Sequence, residues 1–202
     1  MSMFHSVQEL KSEFWKVVLL VFFVYSTFTP FFSNESLMIR ERFQFNAVEA
    51  GRLMAIAGFV MILLIPAIGK ISDLYNKRAT QILIAICILY ISHSYLIAIS
   101  DCEHCYKVVL PLVTLQIGYG IFMTGIWPAG RLCLTKEHEG LCIGMMTATQ
   151  NLAYSICPLL IGFTLDHTEN YTLGFKLVSG LMLLYLTIAL IILSIWWCHG
   201  IQ

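Results

Sequence analysis

The sequence predicts an all-α membrane protein with six transmembrane helices. Hydrophobic residues make up 58% of the 202-residue chain and charged residues only 12%, and the mean hydropathy is +0.79. The apolar residues form long runs separated by short polar links, and each run is close to the ~20 residues that cross a bilayer. Runs of this kind indicate helices, because a helix satisfies its own backbone groups in lipid.

The six predicted spans follow one another with polar links between them. They cover residues 14–32, 50–70, 79–99, 108–129, 141–165 and 173–197. Residues 1–13 form an N-terminal polar segment, residues 14–198 the six-helix transmembrane domain, and residues 199–202 a C-terminal tail. An even number of spans places both termini on one side, and the excess of Lys and Arg in the links on that side predicts that it faces inward.

Composition also indicates what the protein does not do. The formal net charge is zero, so no basic footprint predicts nucleic acid as a partner. No nucleophile–base set, metal-ligand cluster or phosphate loop is present, so we expect no enzyme activity, no cofactor and no metal. Cys102 and Cys105 lack a second pair of ligands, and a short loop disulfide or two free thiols fits them better than zinc.

Polar and aromatic side chains at bilayer depth concentrate on spans one, four and five. The candidate cavity residues are Tyr25, Gln116, Tyr119, Trp127, Gln150, Asn151 and Tyr154. Polar groups at this depth are costly unless they face protein or a water-filled cavity. Hydrogen bonding between helices would explain any one of them equally well. Three striped spans beside nearly featureless ones favour a cavity wall.

The link after span two is short and charged. Four positions define it, namely Gly69, Asp73, Lys77 and Arg78. Their spacing resembles the signature loop of the major facilitator superfamily of transporters, Gly-x-Leu-x-Asp-Arg-x-Gly-Arg-Arg/Lys. Leu74 departs from that pattern at the first Arg. Asn76 replaces the second Gly mildly, because Asn tolerates a left-handed turn.

The second half of the chain extends this resemblance. The matching residues, in order, are Trp127-Pro128, Gly140, Gly144, Gln150-Asn151-Leu152, Gly162 and Asp166. They resemble the C-terminal half of the branch that contains the lysosomal dipeptide transporter. The resemblance implies one half of a major facilitator fold, alternating access, a small organic solute such as a dipeptide, and a lysosomal or other endomembrane location.

Spans two and five end alike, which indicates an internal repeat. Both close with Ile-Gly-x-x-x-Asp after a proline, at Pro66 to Asp73 and at Pro158 to Asp166. An inverted repeat of three helices plus three would leave this trace on opposite membrane faces. Chance similarity between two apolar helix ends is the alternative.

The resemblance assigns a gating role to the signature loop. Asp73 would accept hydrogen bonds at the N-terminus of span five, where N–H groups are unpaired. Lys77 and Arg78 would pair with Glu137 or Glu139. The alternative is that these cations only obey the positive-inside rule.

The expected partners are the lipid bilayer and a second six-helix half, supplied by a second copy or another chain. Against this half-size transporter stands a non-transporting accessory subunit of a larger membrane complex. A truncated product without function alone is a third possibility.

Acidic residues are expected only outside the spans. The charged segment 33–49 is interpreted as a link, so every Asp and Glu falls in a terminal segment, a link or a helix end. This half therefore offers no membrane-embedded proton carrier. His93, in span three, is interpreted as a packing residue.

Overall fold

The computed structural model describes residues 12–75, 77–133 and 138–198, and within these ranges the regular structure is entirely helical. The α-helices are α1 (Ser12–Phe43), α2 (Ala47–Tyr75), α3 (Arg78–Ala98), α4 (Val109–Leu132), α5 (Glu139–Asp166) and α6 (Tyr171–Cys198). A short 3₁₀ turn, Tyr106–Val108, precedes α4. The predicted all-α class is confirmed. Residues 1–11 of the N-terminal segment and the tail 199–202 lie outside the described residues.

Five of these helices are long and apolar enough to cross a membrane, namely α1, α2, α3, α4 with its 3₁₀ turn, and α6. The remaining one, α5, has 28 residues and is long enough to cross, but it carries the polar residues Gln150 and Asn151 near its middle. The length of α5 matches the predicted fifth span, but α5 is not among the helices apolar enough to count as membrane spans.

Helix α1 is the interior helix of the bundle. It packs along α5 and α6, while α4 packs along α2 and α3, and α3 also meets α6. Helices α1 and α4 touch in the middle. By contrast, in the most apolar 18-residue stretch of each helix, 11% of the stretch is buried in α2, against 61% in α1. Helices α2 and α5 therefore flank an α1–α4 centre.

Helix α1 continues well past the predicted end of the first span. It runs through Pro30 to Phe43, so the interpretation of residues 33–49 as a link is wrong. Just past Pro30, Ser33 Oγ donates to Thr29 O and Asn34 Nδ2 donates to Pro30 O, so both polar side chains bond to carbonyls of their own helix. The charged residues of this segment suggested a link, but Phe31, Met38 and Phe43 continue the buried face of the helix.

The longer α1 also places the carboxylate of Glu35 inside a helix. Glu35 lies within α1 and is only 3% exposed. The expectation that every Asp and Glu lies in a terminal segment, a link or a helix end is therefore wrong for Glu35. The reason is that burial follows the helical period of α1, whereas the sequence interpretation followed local charge.

The signature loop is mostly helical. Helix α2 continues to Tyr75 and α3 begins at Arg78, so the link is two residues long rather than ten. Nothing between Gly69 and Tyr75 breaks a helix, and Ser72 is buried against the bundle. Asp73 is consequently a helix residue.

The links at 44–46, 99–108 and 167–170 form one end of the bundle, which we call the disulfide end. Cys102 and Cys105 are joined there by a disulfide, in agreement with one of the two alternatives for this pair. The backbone N–H of His104 donates to Phe43 O at 2.9 Å. We call the opposite end, with Asp73, Arg78 and Leu132, the signature end.

Arg42 fastens α1 to the end of α3. Its side chain is fully buried, its Nε donates to Asp101 Oδ1 at 2.9 Å, and its two terminal nitrogens donate to Leu96 O and Ile99 O at 2.9 and 3.0 Å. These carbonyls end α3, where backbone acceptors lack helical partners. A single guanidinium thus satisfies both the carboxylate and the helix end.

Replacing Arg42 with Met should destabilise the protein by about 3 kcal/mol, because two buried carbonyls and Asp101 lose their donor. We expect a lower Tm by circular dichroism in detergent. Arg40→Met is the matched control, since Arg40 lies two residues earlier on the same helix and is exposed. An equal loss in both variants would contradict this role.

Candidate functional site

Side chains from α1, α4 and α5 meet in a contiguous group that we call the aromatic cluster (Tyr25, Phe28, Tyr119, Phe122, Trp127, Gln150 and Tyr154). Tyr25 is fully buried at its centre. Its ring centroid lies 5.8 Å from those of Tyr119 and Tyr154, and Trp127 Nε1 donates to its hydroxyl at 3.0 Å. Helix α1 therefore holds the residue that joins α4 to α5.

The cluster includes five of the seven predicted cavity residues. Gln150 Nε2 donates to Tyr154 OH at 2.7 Å, one turn apart on α5. Gln116 is buried at 7% exposure and lies outside the chain of contacts that links the other five. Asn151 is exposed, on a different face of α5 from Gln150. The cavity role of all seven residues stays a prediction.

Two aromatic members were not predicted. Phe28 stacks on Tyr119 with centroids 3.7 Å apart, and Phe122 lies 5.9 Å from Tyr25. Each is three residues from a predicted member of its own helix, so spacing alone could have identified it. Phenylalanine is common in membrane spans, so Phe28 and Phe122 did not stand out in the sequence.

The chemistry of the aromatic cluster is that of an uncharged, amphipathic wall. It offers phenol hydroxyls, an indole N–H and an amide, each able to form directional hydrogen bonds beside apolar ring faces. It includes no charged side chain. Such a wall suits a solute with hydroxyl, amide or carbonyl groups, and it leaves any ionic group of the solute to be neutralised elsewhere.

A second polar group, which we call the gate network, ties the signature end to α4. It comprises Ser72 and Asp73 on α2, Arg78 and Gln81 on α3, and Thr124 on α4. Gln81 Nε2 donates to Ile121 O at 2.9 Å and to Thr124 Oγ1 at 2.8 Å, and its Oε1 accepts from Ser72. Sequence reasoning missed Ser72, Gln81 and Thr124, because single polar residues in apolar runs gave no pattern.

Arg78 connects this network to the signature loop. It donates to Ser72 Oγ and pairs with Asp73, whose Oδ1 lies 2.9 Å from Nη2. A cavity of about 340 Å³ lies beside the network and is lined by Ile68, Ile71, Ser72, Tyr75, Lys77, Thr80, Gln81, Ile84 and Ile121. The contact between α2, α3 and α4 is thus hydrogen-bonded through the gate network, and the cavity beside it is lined mostly by apolar side chains.

The pairs in the signature end differ from those the resemblance implied. Arg78 pairs with Asp73, and Glu139 pairs with Arg131 at 3.6 Å, because the two-residue link brings Arg78 back over the end of α2. Glu137 lies outside the described residues. In the described part of the chain, Asp73 makes no hydrogen bond to the start of α5, and Lys77 has no ion pair. The gating role stays a prediction.

A metal site has no support in the described ranges, where no group of three or more His, Cys, Asp or Glu side chains could hold an ion. The aromatic cluster and the gate network likewise contain no such group.

Fold and site together define a multi-pass helical membrane protein with polar groups gathered between its helices. Residues 12–198 match the family model described as Major Facilitator Superfamily. The chain belongs to that superfamily, whose members are transporters.

A curated relative agrees with this assignment. Its printed name is "Putative tartrate transporter", from Agrobacterium vitis, and it is 22% identical over 154 residues. The alignment covers 76% of this chain and 34% of the relative, so the chain spans about a third of that relative's length. No solved structure matches the chain significantly.

The gate network can be tested by a double-mutant cycle with Gln81→Leu and Thr124→Val. Each variant should lower stability by about 1 kcal/mol, because each removes a hydrogen bond from a half-buried network. Their effects should couple by about 1 kcal/mol. Unfolding in detergent followed by circular dichroism measures both quantities.

Thr187→Val is the control for this cycle. The hydroxyl of Thr187 bonds only to Leu183 O of its own helix, on an exposed face of α6. It should be near neutral and additive with Gln81→Leu. Additivity between Gln81→Leu and Thr124→Val would contradict the network.

Proposed function

We propose that this chain is a six-helix half of a major facilitator transporter, which moves a small organic solute by alternating access when paired with a second six-helix half. The observation that carries the proposal is the exposed face of α5. Gly144, Ala148, Asn151 and Ser155 recur on it at three- and four-residue spacing, and all are exposed.

Small and polar residues are unfavourable toward lipid and favourable toward another helix or a water-filled path. The same helix presents Gln150 and Tyr154 to the aromatic cluster. Helix α5 thus bears polar groups on both its inner and outer sides, which suits a wall between a solute path and a second half.

Packing supports the proposed inverted repeat of three helices plus three. Exchanging the first three helices for the last three maps the α1–α5 contact onto the α4–α2 contact. The α1–α6 contact becomes α4–α3, and the α3–α6 contact becomes itself. For this reason we count α5 as a membrane span in addition to the five helices that qualify by composition.

The resemblance carries two finer proposals, a dipeptide substrate and a lysosomal or other endomembrane location. The named relative offers tartrate as a second probe, although its two carboxylates would find no cation in the aromatic cluster. The disulfide Cys102–Cys105 supports a lumenal or extracellular position for the disulfide end, because disulfides persist in oxidising compartments. The N-terminus then faces the cytoplasm, as the charge pattern predicts.

The second half can be identified by mass. Purified chain in lipid nanodiscs should contain two copies by native mass spectrometry. Ala148→Trp should reduce it to one copy, because the indole would block close approach of a partner helix to α5.

Leu184→Trp, at an exposed position on α6, should leave two copies. A single copy in the wild type that instead binds unrelated membrane subunits in its native membrane would reject self-pairing and favour the accessory role.

Transport itself can be tested in proteoliposomes with labelled tartrate and a labelled neutral dipeptide as separate probes. Uptake of one probe should exceed that of empty vesicles. Tyr154→Phe should lower this uptake roughly tenfold, because it removes the hydroxyl bonded to Gln150 and keeps the ring.

Ser194→Ala is the matched control, since its hydroxyl only bonds to Leu190 O on an exposed face of α6. Equal uptake in both variants would exclude Tyr154 from the solute path. Two-copy protein that moves neither probe would favour the accessory function.

A further inference from the structure

The links at 44–46 and 99–108 meet at the disulfide end in a contact that we call the clasp. Its residues are Phe43, Phe45, Glu49, His104 and Tyr106. The backbone N–H of His104 donates to Phe43 O at 2.9 Å. The buried ring of Phe45 meets the rings of His104 and Tyr106 edge-on, at centroid distances of 5.2 and 5.5 Å. The clasp thus fastens the α1–α2 link to the α3–α4 link.

The backbone on both sides of this hydrogen bond is left-handed. The φ angle is 57° at Gln44, which follows Phe43, and 51° at His104. A residue with a Cβ atom disfavours this conformation and keeps it only where the surroundings hold it. His104 lies between Cys102 and Cys105, which are joined. The disulfide therefore closes the turn that presents the N–H of His104 to α1.

The disulfide can be reached by a small molecule. A cavity of about 250 Å³ lies at this end, and Cys102, which is half-buried, forms part of its lining. This volume is several times the ~30 Å³ that one water molecule occupies in the liquid. A thiol of a few heavy atoms therefore has room to approach the sulfur of Cys102.

The same cavity is acidic. Glu41, Asp101 and Glu103 contribute three carboxylates to its lining, and Arg42 contributes one guanidinium. That guanidinium is already bonded to Asp101 and to two backbone carbonyls. In the described part of the chain, Glu41 and Glu103 form no ion pair. The cavity therefore attracts a cationic molecule and repels an anionic one.

We propose that Cys102–Cys105 is a thiol–disulfide exchange site that takes a small cationic thiol, and that its reduction opens the clasp. The thiolate of the incoming molecule attacks Cys102 Sγ, the bond to Cys105 breaks, and Cys105 leaves as a thiolate that takes a proton from water. A second thiolate attacks the mixed disulfide and releases Cys102, which is protonated in turn. Two molecules of thiol are thereby oxidised to one disulfide, while the protein gains two electrons and two protons.

Reduction acts on the clasp through His104. Once the turn is no longer closed, this residue can leave the left-handed region for the conformations that residues with a Cβ atom favour. Its N–H then turns away from Phe43 O, and its ring turns away from Phe45 and from Glu49, whose Oε2 lies 3.8 Å from Nδ1. The two links are then free to separate. Exchange and clasp opening do not depend on the proposed transport function.

Exchange can be measured on the full chain in lipid nanodiscs with three thiols of similar size. These are 2-aminoethanethiol, 2-mercaptoethanol and 2-mercaptoethanesulfonate, whose thiolates are a zwitterion, a monoanion and a dianion. Alkylation and mass spectrometry of the peptide that contains Cys102 and Cys105 give each rate of reduction. Dividing each rate by that of the same thiol with bis(2-hydroxyethyl) disulfide removes differences in intrinsic reactivity. The aminothiol should then exceed the sulfonate by about fivefold.

The double variant Glu41→Gln/Glu103→Gln should reduce this ratio toward one, because it removes the unpaired carboxylates. Glu169→Gln is the matched control, since Glu169 is exposed in the 167–170 link of the same end and is not part of the cavity lining. Equal normalised rates for the three thiols would overturn the site. A disulfide that resists all three thiols in the folded protein would overturn it as well.

Hydrogen exchange of the same samples tests the clasp. Reduction should speed exchange of the His104 amide by roughly tenfold, because the amide loses its carbonyl partner. The amide of Thr168, bonded to Leu165 O in another link of this end, should not change. The double variant Cys102→Ser/Cys105→Ser should show the fast exchange without any thiol. A reduced protein in which the His104 amide stays protected would contradict clasp opening, and neither measurement requires a transported solute.

Discussion

The structure depends on one constraint, which is that hydrocarbon offers no hydrogen-bond partners to a polar group. Most polar side chains meet it locally by bonding to a carbonyl of their own helix, as Ser26 does with Phe22 O at 2.6 Å. Others bond between helices, as Ser92 does with Thr114 at 2.7 Å. Among the described residues, Glu35 Oε1, both ring nitrogens of His93, Ser179 Oγ and Trp196 Nε1 are buried and meet it in neither way.

Helix α4 connects the two polar assemblies of the bundle. Ile121 O and Thr124 receive the bonds of Gln81 from the gate network, and Tyr119 and Trp127 contact Tyr25. All four residues lie within about three turns of one helix. Gln81 of the gate network therefore bonds to the same short stretch of α4 that carries two members of the aromatic cluster.

The sequence predicted helix number, the centres of the helices and most members of the aromatic cluster. These depend on hydrophobic run length and on helical spacing, which are local properties. It failed at the end of α1, because Arg40, Glu41 and their neighbours signalled a link while Phe31, Met38 and Phe43 continued a buried stripe. It also failed to find Gln81, since the importance of a single amide depends on which helices surround it.

The superfamily and the uncharged character of the candidate cavity were thus determined by the sequence alone, through the signature spacing and the residue types on spans one, four and five. Only the tertiary structure decided where the charges lie. It buried Arg42 against the end of α3, turned Arg78 back onto Asp73, and buried Glu35 within the bundle. The reason is physical, because burial and pairing of a charge are set by contacts between residues that are distant in the chain.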